Sequence, residues 1–213
     1  MRVRSGRFAE IIGPKKSSLE ITTVRSIRGS FKDRMAKMGW ELRFMEWGKG
    51  WWSSPFLDHV IPWATHLGSF LAAVVFIVAS CAIIRSKKVI VYLLLLYGIL
   101  ASVVYGLKFI FQRPRPFQVL AMASQLSQTR GEMIDPSFPS AHSAYAFMMA
   151  TLLAHWFPRY RIPFFILAVF VGWTRIYLNL HYPTDVLAGC LLGYGLTKIF
   201  LRFIPPPFHD TNR

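Results

Sequence analysis

Two histidines, one aspartate and three basic residues stand out in this chain because each sits at the edge of an apolar run. His142 follows Pro139-Ser140-Ala141 at the start of "AHSAYAFMMATLLAHW", and His181 and Asp185 lie four apart in "TRIYLNLHYPTD", with Arg175 upstream. Lys108 and Arg115 flank the end of another apolar run in "KFIFQRPRP". An acid bonded to one ring nitrogen of a histidine fixes the tautomer that leaves the other nitrogen free as nucleophile or base. The spacing of His181 and Asp185 predicts a shared helical face. An Arg fork binds phosphate oxygens in pairs, and Lys adds a point charge beside it. Pro139 keeps Phe138 out of helical geometry and Ser140 is a favoured N-cap, which leaves the first N–H groups of the next helix directed at an anion. His142 falls in that same first turn.

The chemistry these types can do together is to hold a phosphate and displace a group from it. A divalent metal held by His142, His181 and Asp185 is a rival reading, and the three cationic side chains beside them oppose it by repulsion. Taken singly the features are weak. Basic residues at span ends commonly snorkel to headgroups, and His-x-x-x-Asp pairs are common. His66 and His155 read as boundary residues without a role.

The elements that must position these residues are membrane helices. Hydrophobic residues form 54% of the 213-residue chain and charged residues only 16%, against about 25% charged in soluble domains; mean hydropathy is +0.37. A net charge of +15 on a soluble chain would suggest nucleic acid. Here it is expected to meet anionic lipid or the phosphate of a lipid, with no nucleic-acid partner. Cys81 and Cys190 lie inside apolar segments without metal-ligand spacing, and residues 1–50 lack the apolar core of a cleavable signal.

Five stretches, about 60–84, 89–107, 141–157, 162–180 and 186–204, approach the roughly 20 residues that span a bilayer. The fold expected is an all-α integral membrane protein, a bundle of about five transmembrane helices preceded by an interfacial amphipathic helix. The latter falls in 34–59, where Trp40, Trp47, Trp51 and Trp52 alternate with charges, because Trp favours the headgroup level. Residues 1–33 read as a flexible basic segment, 60–204 as the catalytic bundle and 205–213 as a tail. Basic residues at 85–88, at Arg159 and Arg161, and at Lys198 and Arg202 place those ends in the cytoplasm by the positive-inside rule. The connections carrying Lys108 to Ser140 and Arg175 to Asp185 then share the outer face, with 117–138 expected to cover the site.

Lys108-x6-Arg115-Pro116, Pro139-Ser140-Ala141-His142 and Thr174-Arg175-x5-His181-x3-Asp185 together resemble the three-part signature of the type 2 phosphatidic acid phosphatase family, in order and in spacing. The resemblance covers about residues 55–204. Ala141 stands where the family usually has Gly, and Thr174 where it usually has Ser; Ala keeps the backbone N–H and Thr keeps the hydroxyl. The resemblance implies a membrane lipid phosphatase working without metal or other cofactor. His181 would attack phosphorus to give a phosphohistidine, Asp185 would orient it, and His142 would protonate the leaving oxygen. Lys108, Arg115, Arg175, Ser140 and Ala141 would hold the phosphoryl oxygens.

The implied substrate is a phosphate monoester or diphosphate of a membrane lipid: undecaprenyl pyrophosphate, the 1-phosphate of lipid A, phosphatidylglycerophosphate or phosphatidic acid. The implied place is the inner membrane, multi-pass, with the site facing the periplasm or the outside. Phosphoryl transfer to a second lipid is the enzymatic alternative, and a non-catalytic basic membrane protein is the other. Vanadate haloperoxidases share the signature but need no membrane bundle. No protein partner is legible.

Overall fold

The computed structural model describes residues 39–84, 87–119 and 135–204. The expected flexible segment at 1–33, the first residues of 34–59, most of the 117–138 connection and the 205–213 tail lie outside the described residues. Every regular element among the described residues is helical: α1 Trp40–Trp52, α2 Pro55–Ala64, α3 Phe70–Ile84, α4 Lys87–Phe111, α5 Pro116–Val119, α6 Ala141–Trp156, α7 Arg161–Tyr177 and α8 Pro183–Phe203. The chain divides at Arg43/Phe44, and all the candidate site residues lie on the C-terminal side.

Composition dictates an inside-out arrangement. In α4 the buried residues Val89, Tyr92, Leu93, Leu96, Leu100 and Val104 recur at helical spacing and pack on Ala144, Tyr145, Met148 and Leu152 of α6 and Phe200 of α8; Lys108, also buried, follows them at the end of the helix. The opposite faces are just as apolar yet exposed: Val91, Leu94, Leu95, Phe109 and Ile110 on α4, and Leu187, Leu191, Ile199 and Phe203 on α8. An apolar surface of that extent needs a nonaqueous solvent. The stretches Lys87–Val119 and Pro183–Phe203 are long and apolar enough to cross a bilayer.

The other three expected spans are shorter. α3, α6 and α7 have 15, 16 and 17 residues. The expected first span is broken: α2 gives way to a 3-10 turn at Thr65–Gly68, and α3 starts only after Ser69, whose hydroxyl accepts from Ala72 N at 3.2 Å. Gly68 is the reason the chain can turn there. A Cβ on it would lie 2.4 Å from Val171 Cγ1 and 2.9 Å from the His142 carbonyl oxygen, so the turn is wedged between α6 and α7.

The closest helix contact is α6 on α8, and glycine sets it. A Cβ on Gly189 would lie 2.4 Å from the Ser140 carbonyl oxygen, and one on Gly193 would lie 2.1 Å from that of Ala144. Small residues four apart let two backbones approach in lipid, where packing replaces the hydrophobic effect as the driving force. Gly193→Ala is therefore expected to cost about 1–3 kcal/mol, since backbone cannot yield as a side chain does. Gly195→Ala, whose Cβ meets nothing within 4 Å, serves as the control and should leave the unfolding temperature in detergent unchanged or raised. Equal effects at the two positions would contradict this packing.

Candidate active site

The starts of α6 and α8 and the ends of α4 and α7 meet at one end of the bundle. Ser140 caps α6 as expected: its backbone is extended, and its hydroxyl accepts from Ser143 N at 3.4 Å and from Ser143 Oγ at 2.9 Å. Its own N–H donates to the Asp185 carbonyl oxygen at 3.0 Å, which ties the two helix starts together. Ala141 and His142 occupy the first turn of α6. His142 is half-buried there, near Arg175, Arg115 and His181.

His181 and Asp185 do not share a helical face. α8 begins at Pro183, whose fixed φ suits a first helical position, so His181 belongs to the preceding turn. That turn depends on Asn179 at φ 51, the left-handed conformation that Asn tolerates after a helix end. It folds Leu180 N and His181 N back onto the Arg175 carbonyl oxygen at 3.0 and 3.3 Å. Asp185 instead caps the start of α8, accepting from Tyr182 N at 2.9 Å.

The ring of His181 is oriented by a residue the sequence did not single out. Nδ1 lies 2.7 Å from the Ser137 carbonyl oxygen but 3.7 Å from Asp185 Oδ2, beyond hydrogen-bond reach. A carbonyl oxygen only accepts, so Nδ1 carries the proton and Nε2 the lone pair. Nε2 faces Arg115 Nη1 at 3.4 Å. Asp185 acts one step removed, because its Oδ2 accepts from the Ser137 hydroxyl.

Asp185 is wholly buried, and its other oxygen takes a bond from Arg113 Nη1 at 2.6 Å. Arg113 also reaches Thr184 Oγ1 at 2.8 Å and lies 3.9 Å above the Tyr182 ring. Arg113 was visible in "RPRP" but had no assigned work, since only the fold brings it to α8.

The cations surround this pair. Arg115 is buried and donates from Nε to the Asp135 carbonyl oxygen at 2.8 Å and from Nη1 to that of Leu180 at 3.1 Å. Lys108, in the last turn of α4, donates to the Pro136 carbonyl oxygen. Lys108 and Arg115 share the Asp135 carboxylate, each at 3.1 Å. Arg175 donates to Thr65 Oγ1 at 2.7 Å, and the Thr65 hydroxyl lies 3.0 Å from Thr174 Oγ1, which donates its own hydrogen to the Val171 carbonyl oxygen at 2.6 Å. Thr65 thus reaches the cluster from the 3-10 turn, and no local signal in the sequence marks it.

Burial is the main cause that holds His181 down at about 3 from its ordinary 6.5; the charges of Arg175, Arg115 and Lys108 add to it, and Asp185 opposes them. Burial also pulls the Arg115 guanidinium below its usual value, against the attraction of Asp135 and Asp185. The arrangement offers one neutral imidazole nitrogen with its lone pair toward Arg115, a second histidine in a helix's first turn, and Lys108, Arg115 and Arg175 around them. Anion binding and nucleophilic displacement fit this donor set.

The model of the PAP2 superfamily matches residues 88–208. The chain belongs to the PAP2 superfamily. Among curated PAP2 relatives, a lipid A 1-phosphatase of Rhizobium etli is 38% identical over 81 residues, which cover 38% of this chain and 34% of the relative. Phosphatidylglycerophosphatase B of Bacillus subtilis is 32% identical over 155 residues, 65% of this chain and 71% of that one. The crystal structure of Aquifex aeolicus LpxE superposes with a TM-score of 0.62 at 27% identity, covering 78% of this chain and 96% of that chain. The chain thus spans about a third of the first of these relatives and over two thirds of the second. Thr65 lies outside the PAP2-matched residues, although its hydroxyl holds Arg175.

Two measurements test this geometry. Between about pH 3 and 6.5 unfolded His181 binds a proton that the folded protein excludes, so its contribution is complete above 6.5 and is lost as pH falls through that window. The unfolding temperature should therefore drop between pH 6.5 and 4, and drop less in His181→Asn; identical slopes would contradict the buried neutral ring. Arg113→Ala leaves the buried Asp185 carboxylate short of its cation, at an expected cost of about 3 kcal/mol, with Arg113→Lys closer to wild type in the same assay.

Proposed function

We propose that this PAP2 protein is a membrane-embedded lipid phosphatase that hydrolyses a phosphate monoester or diphosphate of a membrane lipid through a phosphohistidine. The observation that carries the reading is the fixed tautomer of His181, which presents the Nε2 lone pair beside Arg115. In the first step Nε2 attacks phosphorus and the bond to the lipid oxygen breaks, with His142 giving that oxygen a proton. Lys108, Arg115 and Arg175 take the charge on the phosphoryl oxygens, together with the hydroxyl hydrogen of Ser140 and the N–H of Ala141 at the start of α6. Asp185 holds the cationic phosphohistidine in place through Ser137 and by its charge. Water then attacks phosphorus, with His142 as base, and phosphate leaves His181 neutral again.

No metal ion or other cofactor is part of this proposal. With Lys108, Arg113, Arg115 and Arg175 around His181 and Asp185, a divalent ion would meet repulsion where it would have to bind. The site is proposed to face the periplasm or the outside, on five spans of the inner membrane, because the basic ends at 85–88, Arg159 and Lys198 favour the cytoplasm. Residues 34–59 are proposed to be an interfacial amphipathic segment lying on the membrane, which suits the exposure of Trp47 and Trp51. The names of the relatives support lipid A 1-phosphate and phosphatidylglycerophosphate as substrates, beside undecaprenyl pyrophosphate and phosphatidic acid.

The test is phosphate release from these four lipids by purified protein. At least one should be turned over, unchanged in excess chelator, and His181→Ala should abolish turnover while remaining folded. Substantial turnover by that variant removes His181 as the nucleophile, and activity lost to chelator and restored by magnesium removes the metal-free reading. Radiolabel appearing in a second lipid instead of free phosphate would mark a phosphotransferase.

A further inference from the structure

An apolar groove of about 300 Å³ opens on the flank of the bundle between α3, α6 and α7. Leu67 stands at its site end, Ala146, Ala150 and Ala168 form its floor, and Phe76 and Leu153 line it further down. From Ala146 to Leu153 it follows α6 for two turns, about 10 Å. The floor residues are alanines, and the groove's own surface is almost wholly apolar.

Its position relative to the chemistry says what fills it. The oxygen that His142 protonates carries the lipid chain, so the chain starts beside His142. Ala146 lies one helical turn below His142 on α6, and the Thr65–Gly68 turn packs on the His142 carbonyl oxygen while Leu67 enters the groove wall. A chain that leaves the site along α6 and stays out of water meets this groove one turn below His142. The first residues of α3, the Thr65–Gly68 turn and α7 bound the path, and the polar site closes its top.

We propose that the groove is the subsite for an aliphatic chain of the phosphorylated lipid, with the chain laid along α6 from Ala146 toward Leu153. The proposal rests on the lipid-phosphatase reading and gives it a position for the tail. It also assigns work to residues 65–76, which precede the family match at 88–208.

Two rim residues that are exposed, Val75 and Leu167, allow the groove to be filled without touching its floor. Val75→Trp with Leu167→Trp is expected to lower kcat/KM for dioleoyl phosphatidic acid about tenfold, the worth of one to two methylenes displaced from burial. Turnover of dihexanoyl phosphatidic acid, whose chains are too short to need the lower groove, should stay at the wild-type value. An equal fall for both lipids, or no fall for the long one, overturns the proposal. A wild-type protein that hydrolyses neither lipid, nor the other three candidates, instead overturns the phosphatase reading beneath it.

A second measurement stands if the double variant does not fold. Dioleoyl-length phosphatidic acid with a diazirine in mid-chain, photolysed with the wild-type protein, should label peptides of 146–153 or 164–171. Label confined to the outward faces of α4 and α8 overturns the groove as the tail subsite.

Discussion

A carboxylate with no contact with solvent has to be surrounded by donors or lose its charge, and Asp185 is such a group. Its oxygens accept from Arg113, from the Ser137 hydroxyl and from Tyr182 N, and its backbone oxygen accepts from Ser140 N. These partners come from three separate connections: the one after α4, the one before α6, and the turn between α7 and α8. Burying the charge without them would cost several kcal/mol, so the three connections are pinned to one another wherever Asp185 is ionised. The orientation of His181 follows from the same arrangement, since Ser137 uses its hydroxyl on Asp185 and its carbonyl oxygen on the imidazole.

Helix packing brings those connections within reach. The close approach of α6 and α8 needs Gly189 and Gly193, and it places the N-terminus of α6 beside the N-terminus of α8. Two helix starts together present backbone N–H groups and positive dipole ends to the same space. Around them stand four basic side chains, drawn from α4, from the chain that follows it and from α7. The apolar exterior and the charged end are thus parts of one design: lipid takes the faces that a soluble protein would bury, and the interior volume near one end is left for polar work.

Much of the site was legible in the sequence, for a physical reason. Charged and histidine residues at the edges of apolar runs are costly at membrane depth, so Lys108, Arg115, His142, Arg175, His181 and Asp185 stand out against their surroundings, and the structure brings them together. Ser140 was legible as an N-cap because capping is a local interaction. Pro183 was legible as a helix start for the same reason. Lengths were read less well: Gly68 wedges against α6 and α7, so a stretch that is apolar from 60 to 84 is interrupted by a turn that composition does not mark.

The sequence by itself determined the apolar helices, the caps and the identity of the chemical groups, because these depend on composition and on neighbours within one helical turn. It did not determine which atom holds His181. Spacing pointed to Asp185 on a common helical face, but Pro183 starts the helix too late, and the bond goes to the backbone of Ser137, 44 residues away. Nor did it reveal Arg113 as the cation of Asp185 or Thr65 as the partner of Arg175, 110 residues apart. Those contacts join segments that are remote along the chain, and only the packing of α6 on α8 and the wedge at Gly68 bring them to hydrogen-bond distance.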